Sequence, residues 1–403
     1  MGRVALQVRR PRAAGADVVA DARGEGIRLS GELPDDDPRK WDYTEHARVK
    51  HAIQRRYLGA WLNILGSISP LVLFDGFAGR GRYNGGEAGS PLVFWQRAVE
   101  AVDRGRPKRV EIHCVEKAEA NFRELSSTIA GLEHPGVTID AEHGEFADRA
   151  IARAALLRNA ALVPPVFWTA DPYGFRGVPL DVVRELMSLS RSELMITFMV
   201  RDIRRFIGEQ NHEAPLTELF GGESWRGSLE LEGEETREEK LLLTYSSVIR
   251  DGIASFATPF RVFEDDRRQT LYYLIHLTKE PLGMRKMKEA MVKQSSDMTF
   301  WPVTVRDPDQ IALDVREPRP YRTLQQYLLG TYAGRTLTFE DLLNQDYPLG
   351  VWVEPHYRAA IADLEKAGRA TLDRRAREIE GRRRPSGIQL PDRVSFDVQL
   401  QLG

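Results

Sequence analysis

Residues 71–81 constrain the fold more than any other part of this 403-residue chain. They read LVLFDGFAGRG: four apolar residues, an acid, and glycines at positions 76, 79 and 81. The apolar run predicts a buried strand, and the glycines predict a tight turn, because glycine has no Cβ and tolerates positive φ. Backbone N–H groups in such a turn approach a nucleotide-like ligand closely. The segment therefore predicts a strand, a turn and a helix arranged around a ligand.

A second apolar run, VEIHCVE at residues 110–116, ends in an acid about one βαβ unit later. In nucleotide-binding sheets an acid at this place accepts hydrogen bonds from ribose hydroxyls, so Glu116 is predicted in that role. The G-x-G-x-x-G spacing of NAD-binding turns is absent, and no Gly-Lys-Ser/Thr follows the glycines as in a P-loop. The order DGFAGRG is instead similar to the first motif of S-adenosylmethionine (SAM)-dependent methyltransferases.

Residues 166–174, VFWTADPYG, predict a third strand of the same kind that ends in a stiff loop. The loop partly matches the Asp/Asn/Ser-Pro-Pro-aromatic motif of enzymes that methylate amines. Asp171 would accept a hydrogen bond from an exocyclic amine, Pro172 would stiffen the loop, and Tyr173 would stack on a base. A plain turn is the alternative, because Asp-Pro is common in loops.

Several short motifs, taken in order and spacing, resemble the three-Cys-motif partner (TcmP) family over residues 41–400. They are WDYT at 41–44, the helix-like KHAIQRRYLGAWLNIL at 50–65, FDGFAGRG at 74–81, GSPL at 89–92, DPYG at 171–174 and GMRKM at 283–287. The loop DPYG departs from the fuller D-P-P-Y motif, which leaves the methyl acceptor open. The family's name implies a three-Cys-motif protein as partner.

The resemblance implies a class I methyltransferase fold: an α/β, Rossmann-like sheet with helices on both faces, followed by a C-terminal winged-helix domain. It also implies SAM as cofactor. In the turn GEF at 144–146, the acid resembles the one that meets the adenine amine of the cofactor. The predicted cofactor-binding residues are Asp75, Gly76, Phe77, Gly79, Gly81, Glu116 and Glu145, and the predicted catalytic residues are Asp171, Pro172 and Tyr173.

Composition predicts a folded protein of the cytoplasm. Hydrophobic residues make up 42% of the chain and charged residues 29%, and the formal net charge is −2, so no overall field attracts nucleic acid. The single cysteine, Cys114, lies in an apolar strand and is predicted to be core; one cysteine excludes disulfides and a cysteine-based metal site, and we predict no metal. No signal peptide and no run of 18 apolar residues is found, so we expect no membrane.

The chain divides into three parts. Residues 1–40 predict a poorly ordered tail, 41–318 the methyltransferase domain with an insertion at 201–250, and 319–403 the winged-helix domain. The predicted strands beyond those above are 137–139, 193–200, 261–263 and 271–277, and the predicted helices of the first domain are 44–65 with Thr44 as N-cap, 89–102 with Ser90 as N-cap, and 118–129.

Two groups of polar residues allow two interpretations each. His46, Lys50 and His51 lie near the start of helix 44–65, close to the expected crevice, and a solvated helix face is the favoured interpretation. In the insertion, Arg201, Arg204 and Arg205 would contact phosphates and Trp225 would stack a base; an arginine-bearing helix with a tryptophan anchor is favoured instead.

The C-terminal part has the order of a winged helix: helices at 324–332, 339–344 and 354–367, then strands at 370–373 and 394–396. Between the two strands lies a basic segment, which predicts a wing that binds phosphates of DNA or RNA. A solvated hairpin or a protein-docking wing is the alternative. The candidate nucleic-acid-binding residues are Arg374, Arg375, Arg377, Arg382, Arg383 and Arg384.

The function predicted from these observations is SAM-dependent N-methylation of a nucleobase or another amine linked to nucleic acid. Two alternatives stay open: a non-catalytic nucleic-acid-binding adaptor that retains the fold, and a methyltransferase acting on a small molecule or protein.

Overall fold

The computed structural model describes residues 41–68, 70–230, 236–263, 269–295, 320–347, 352–374, 378–379, 382–383 and 386–397. The predicted tail, residues 1–40, and the predicted boundary between residues 318 and 319 lie outside them. The first strands and helices are α1 (Glu45–Ile64), β1 (Leu71–Asp75), α2 (Ser90–Asp103), β2 (Val110–Glu116), α3 (Glu119–Ile129), β3 (Val137–His143), α4 (Phe146–Arg158) and β4 (Val166–Ala170). They are followed by α5 (Leu180–Met187), β5 (Ser192–Phe198), α6 (Val200–Phe206), α7 (Glu213–Phe220), α8 (Arg237–Arg250), β6 (Phe256–Phe263), β7 (Thr270–Thr278) and α9 (Pro281–Val292).

These strands form one seven-stranded sheet in the order β3-β2-β1-β4-β5-β7-β6. The first five are parallel, and β7 runs antiparallel to both of its neighbours. This is the strand order of a class I methyltransferase sheet, which confirms the predicted fold class. The order reverses between β1 and β4, and ligands of open α/β sheets bind in the crevice at such a point.

Alternating residues of the central strands explain why helices cover both faces. Leu71 and Leu73 of β1 join a core that includes α1, α2 and α9, whereas Phe74 points to the other face and packs against Trp168 with ring centroids 4.8 Å apart. Because both faces of the sheet are covered, the sequences of β1 and β4 are continuous or nearly continuous hydrophobic runs. Cys114 is buried in the first core, as predicted.

Several predicted boundaries are confirmed and others shift. Thr44 caps α1, and its hydroxyl accepts a hydrogen bond from the Ala47 amide. The N-cap of α2 is Gly89, not Ser90, because the chain passes so close to the glycine turn that a Cβ at Gly89 would lie 2.9 Å from the Gly81 carbonyl oxygen. Strand β3 continues to His143, since its polar end still pairs with β2.

The C-terminal part contains α10 (Pro320–Thr331), β8 (Thr336–Thr338), α11 (Phe339–Asp346), α12 (Glu354–Lys366), β9 (Ala370–Asp373), β10 (Glu378–Ile379), β11 (Arg382–Arg383) and β12 (Arg393–Phe396). Strands β8, β12 and β9 form a small antiparallel sheet, and β10 pairs with β11 as the wing. This arrangement confirms the predicted winged helix.

Helix α9 contributes side chains to the hydrophobic core of the sheet and to that of the C-terminal part. Met287 and Met291 pack in the sheet core, whereas Met284 packs in the C-terminal core. At the centre of the latter, the Asp346 carboxylate accepts hydrogen bonds from the hydroxyls of Tyr327, Tyr332 and Tyr357. These bonds satisfy an acid that is only 1% exposed.

Candidate active site

The glycine turn follows β1 directly and is held close to its neighbours. Gly79 and Gly81 have positive φ angles of 61° and 80°. At Gly76 a Cβ would lie 2.2 Å from Phe146 Cδ2 and 2.9 Å from the Thr169 carbonyl oxygen. Positive φ and close approach therefore explain why glycine is used here. Phe77, the remaining residue of the turn predicted to bind cofactor, is half-buried with its ring 5.2 Å from that of Phe146.

Glu116 ties this turn to the end of β2. Its Oε2 accepts a hydrogen bond of 2.9 Å from the Gly79 amide, and its Oε1 accepts one of 2.7 Å from the Ala118 amide. Each carboxylate oxygen has a second lone pair, so the side chain retains capacity for hydroxyl donors. Glu116 therefore holds the turn in place and can also accept hydrogen bonds from a ligand beside it.

Asp75 is a buried carboxyl at the carboxyl end of β1, only 2% exposed. Its Oδ1 lies 3.3 Å from the Thr169 hydroxyl, whereas Oδ2 has no hydrogen-bond partner among the described residues. Burial raises the pKa of Asp75 to about 6. An unsatisfied buried carboxyl oxygen is costly, and a cationic ligand group beside it would remove that cost.

Asp171 follows β4, the strand next to β1, and is held by two donors. Its Oδ2 forms an ion pair with the Lys50 ammonium of α1, and its Oδ1 accepts a hydrogen bond from the Thr197 hydroxyl of β5. Burial alone would raise the pKa of Asp171, but the ammonium and the hydroxyl outweigh burial and hold that pKa below its ordinary value. The side chain is still 34% exposed, so it faces the crevice as an ionised acceptor.

The rest of the DPYG loop divides between core and surface. Pro172 is buried, whereas Tyr173 is 55% exposed. The exposed aromatic ring follows the buried proline directly, and the buried proline limits how far the loop can move.

An aromatic group beside Asp171 was not predicted from the sequence. The His51 ring lies 5.7 Å from the ring of Tyr43, which it stacks on, and 5.7 Å from that of Tyr83. His51 is 1% exposed, and its Nδ1 has no hydrogen-bond partner in the described part of the chain. Burial lowers the pKa of His51 to about 3, so the imidazole is neutral. The solvated face predicted for Lys50 and His51 is therefore wrong.

Glu145 lies apart from this cluster. It lies at the N-cap position of α4, beyond the end of β3, makes no side-chain capping bond, and forms an ion pair of 2.7 Å with Lys117. Its side chain is 52% exposed. The structure thus gathers Asp75, Glu116, Asp171 and the glycine turn at the ends of three adjacent strands, with Glu145 two strands away from β1.

The insertion has the structural role that we favoured. Trp225 is fully buried and donates a hydrogen bond to Thr217, so it anchors a short helical segment and is not exposed for stacking. Arg204 lies 3.1 Å from Glu238 of α8, and Arg201 lies 3.2 Å from Asp202.

Of the candidate wing arginines, Arg374 is already paired. Its two terminal nitrogens each lie 2.6 Å from an oxygen of Glu365, so it braces the wing against α12. Arg382 and Arg383 form strand β11, and the predictions for Arg375, Arg377 and Arg384 lie outside the described residues.

Comparison with known proteins gives one family match and several solved structures of low similarity. Residues 305–377 match the model of the GMT-like wHTH domain. No curated protein matches the chain. Human methyltransferase-like protein 13, solved in complex with SAH, is 12% identical over 66% of this chain and 98% of its own, with a TM-score of 0.32. An rRNA methylase from Streptococcus thermophilus is 12% identical over 56% of this chain and 94% of its own, with a TM-score of 0.27. Magnesium protoporphyrin IX methyltransferase from Synechocystis is 13% identical over 60% and 93%, with a TM-score of 0.30.

At these scores the fold assignment rests on the observed strand order and the winged-helix match. Membership of the TcmP family stays a prediction. No helix in the described part of the chain combines the length and apolar character needed to cross a membrane. The cytoplasmic location also stays a prediction.

Proposed function

We propose that the chain is a SAM-dependent methyltransferase that methylates an amine nitrogen of a nucleobase. One observation carries this proposal: Asp75, Glu116 and Asp171 converge with the glycine turn at the point where the strand order reverses. Ligands of open α/β sheets bind there, and buried acids with a glycine turn suit a ligand that carries an amine, hydroxyls and a positive charge.

The residues present fit SAM. The unsatisfied Oδ2 of Asp75 suits the cofactor's ammonium group, and the free lone pairs of Glu116 suit its ribose hydroxyls. Glu145 would accept a hydrogen bond from the adenine amine. When bound, SAM supplies a methyl group made electrophilic by a positively charged sulfur.

The protein's own contribution would be mainly positioning. Asp171 accepts a hydrogen bond from the acceptor's N–H and so directs the nitrogen lone pair towards the methyl group, while Tyr173 stacks on the base. Transfer would exchange the cofactor's sulfur–carbon bond for a new N–C bond to that nitrogen, and the amine proton would be released to water. A base within a duplex would have to be flipped out to reach the loop.

The C-terminal part would present the nucleic acid. Winged helices commonly bind DNA, and the wing adds a local positive charge to a nearly neutral chain. A three-Cys-motif protein is proposed as a further partner.

The direct experiment incubates the chain with radiolabelled SAM and separate pools of genomic DNA, total RNA, protein and small amines. We expect label in one nucleic-acid pool and N-methylated base after digestion. Label confined to protein or small amines would replace the proposed acceptor, and binding of SAM and nucleic acid without any transfer would favour the adaptor.

The wing gives a separate prediction about salt. Replacing Arg375, Arg377, Arg382, Arg383 and Arg384 by Gln should weaken binding to the labelled nucleic acid and reduce the slope of log K against log salt by about 3 to 4.5, at about 0.9 per lost phosphate contact. Fluorescence anisotropy at several salt concentrations measures it. Five exposed arginines of the sheet domain provide a control with the same change in net charge: Arg56, Arg104, Arg123, Arg158 and Arg184. Equal slopes for the two variants would contradict the role of the wing.

A further inference from the structure

The ion pair between Lys50 and Asp171 joins two residues that are 121 positions apart in the chain. The Lys50 side chain is 12% exposed and the Asp171 side chain 34%, so the carboxylate is the more accessible partner of the pair. Thr197 engages the other oxygen from β5. One side of Asp171 is therefore fixed by the protein, and the open side faces the crevice.

Helix α1, which carries Lys50, is itself fixed on the sheet. The Tyr57 hydroxyl donates to buried Glu193 of β5, and Glu193 also lies 2.9 Å from His276 Nε2 of β7. Nearer the start of the helix, the Tyr272 hydroxyl donates to the His46 carbonyl oxygen at 3.3 Å. Two independent contacts therefore set where the Lys50 ammonium lies.

Building on the proposed function, we infer that Lys50 is a positioning residue that holds Asp171 ionised and turned to accept an N–H from an amine that is neutral in solution. The ammonium occupies one lone pair of Oδ2 and the Thr197 hydroxyl one of Oδ1, so each oxygen keeps capacity for a further donor. A protonated alkylamine lacks the lone pair needed for attack and would face the Lys50 charge. The site therefore suits aromatic amines, such as the exocyclic amines of nucleobases, and not lysine-like amines.

The pKa values of the neighbouring groups support an ionised Asp171. Burial raises the pKa values of Tyr83 and Tyr272, so both hydroxyls stay neutral, and the low pKa of His51 keeps that ring neutral. Asp75, with a pKa of about 6, is the neighbour that titrates near neutrality. The charged and titratable groups that face Asp171 are Lys50 and His51 from α1, Asp75 from β1, Tyr83 from the segment before α2, and Tyr272 from β7.

The test compares Lys50→Met with Lys50→Arg, and uses Lys108→Met, at an exposed loop position, as the matched control. Aspartate labelled with ¹³C at Cγ reports the titration of Asp171 by NMR, and Asp171→Asn identifies its resonance and separates it from that of Asp75. In Lys50→Met, burial is no longer opposed by the ammonium, so we expect the Asp171 midpoint to rise by about 2 pH units or more. Lys50→Arg should restore most of the wild-type value.

Methyl transfer to the labelled nucleic-acid pool gives the second readout. Asp171 is ionised only above its pKa, so the kcat of Lys50→Met should fall about tenfold for each pH unit below the raised midpoint, at pH values where the wild type, Lys50→Arg and Lys108→Met keep their full rate. An Asp171 midpoint that does not move in Lys50→Met, or a Lys50→Met variant whose kcat falls with acidity at the same pH as that of the wild type, would overturn the inference. The NMR titration needs no methyl acceptor, so a wild-type chain that transfers nothing overturns the proposed function and leaves the titration to decide the role of Lys50.

Discussion

Asp171→Ala should lose about 10³-fold in kcat for methyl transfer while its Kd for SAM changes less than tenfold. Asp171 is held ionised by Lys50 and its side chain is 34% exposed, and it lies on the loop after β4 and not in the glycine turn, so in the proposed mechanism it orients the acceptor and not the cofactor. Removing a positioned hydrogen-bonding group from an active site typically costs 10²- to 10³-fold or more. Radiolabelled transfer measures the rate, and calorimetry measures the affinity for SAM.

Two further variants sharpen this result. Asp171→Asn keeps the shape of the side chain and an oxygen for Lys50, so it should be less destabilised than Asp171→Ala and still lose most of the rate. Asp181→Ala removes an acid that is 92% exposed at the start of α5 and should leave both quantities unchanged. An Asp171→Ala variant with more than a tenth of the wild-type kcat would contradict the assigned role.

Gly76→Ala should destabilise the sheet domain by about 3 kcal/mol and abolish detectable SAM binding. The new methyl group would lie 2.2 Å from the buried Phe146 ring and 2.9 Å from a backbone oxygen. The Gly76 amide also donates to that same Thr169 oxygen at 3.0 Å, so the chain cannot simply move aside. Overpacking of a tight core site costs about 1–3 kcal/mol or more, and any shift displaces the turn that holds the ligand. Urea denaturation measures the first effect.

Gly131→Ala is the matched control, because nothing lies within 4 Å of a Cβ at that position. It should change the free energy of unfolding by less than about 0.5 kcal/mol. Adding Phe146→Ala to Gly76→Ala removes the ring that the methyl group meets, so the double variant should be less destabilised than the sum of the two single variants. If the changes in the free energy of unfolding were strictly additive, the clash with Phe146 would not be the cause of the destabilisation.

The sequence predicted the sheet and its turn because these depend on local patterns. Residues 71–75 are a continuous apolar run with an acid at its end, and the strand 110–116 was predicted with its observed bounds. The polar end of β3 was missed, since Asp140 to His143 lack the apolar pattern of a strand and extend the strand by pairing with β2.

The site was harder to predict because its main contact joins distant parts of the chain. Nothing near Lys50 in the sequence indicates that its ammonium forms an ion pair with Asp171. Thr197 is a polar residue within an apolar strand, and its position in the sequence does not indicate that it donates to Asp171. Trp225 illustrates the opposite problem, since an aromatic residue among arginines is typical both of a base-stacking surface and of a buried anchor. Only the packing of α7 and α8 decides between them.

The most direct test of the central claim is calorimetric titration of the chain with SAM. We predict one-to-one binding with a Kd on the order of 10 μM for the wild type. Binding should be about tenfold weaker or more in Asp75→Ala and in Glu116→Ala, and the Kd of Asp181→Ala should equal that of the wild type. Asp75→Ala removes the carboxyl whose Oδ2 is unsatisfied, whereas Glu116→Ala also leaves the amides of Gly79 and Ala118 without their acceptor. A wild-type chain that binds no SAM would contradict the account.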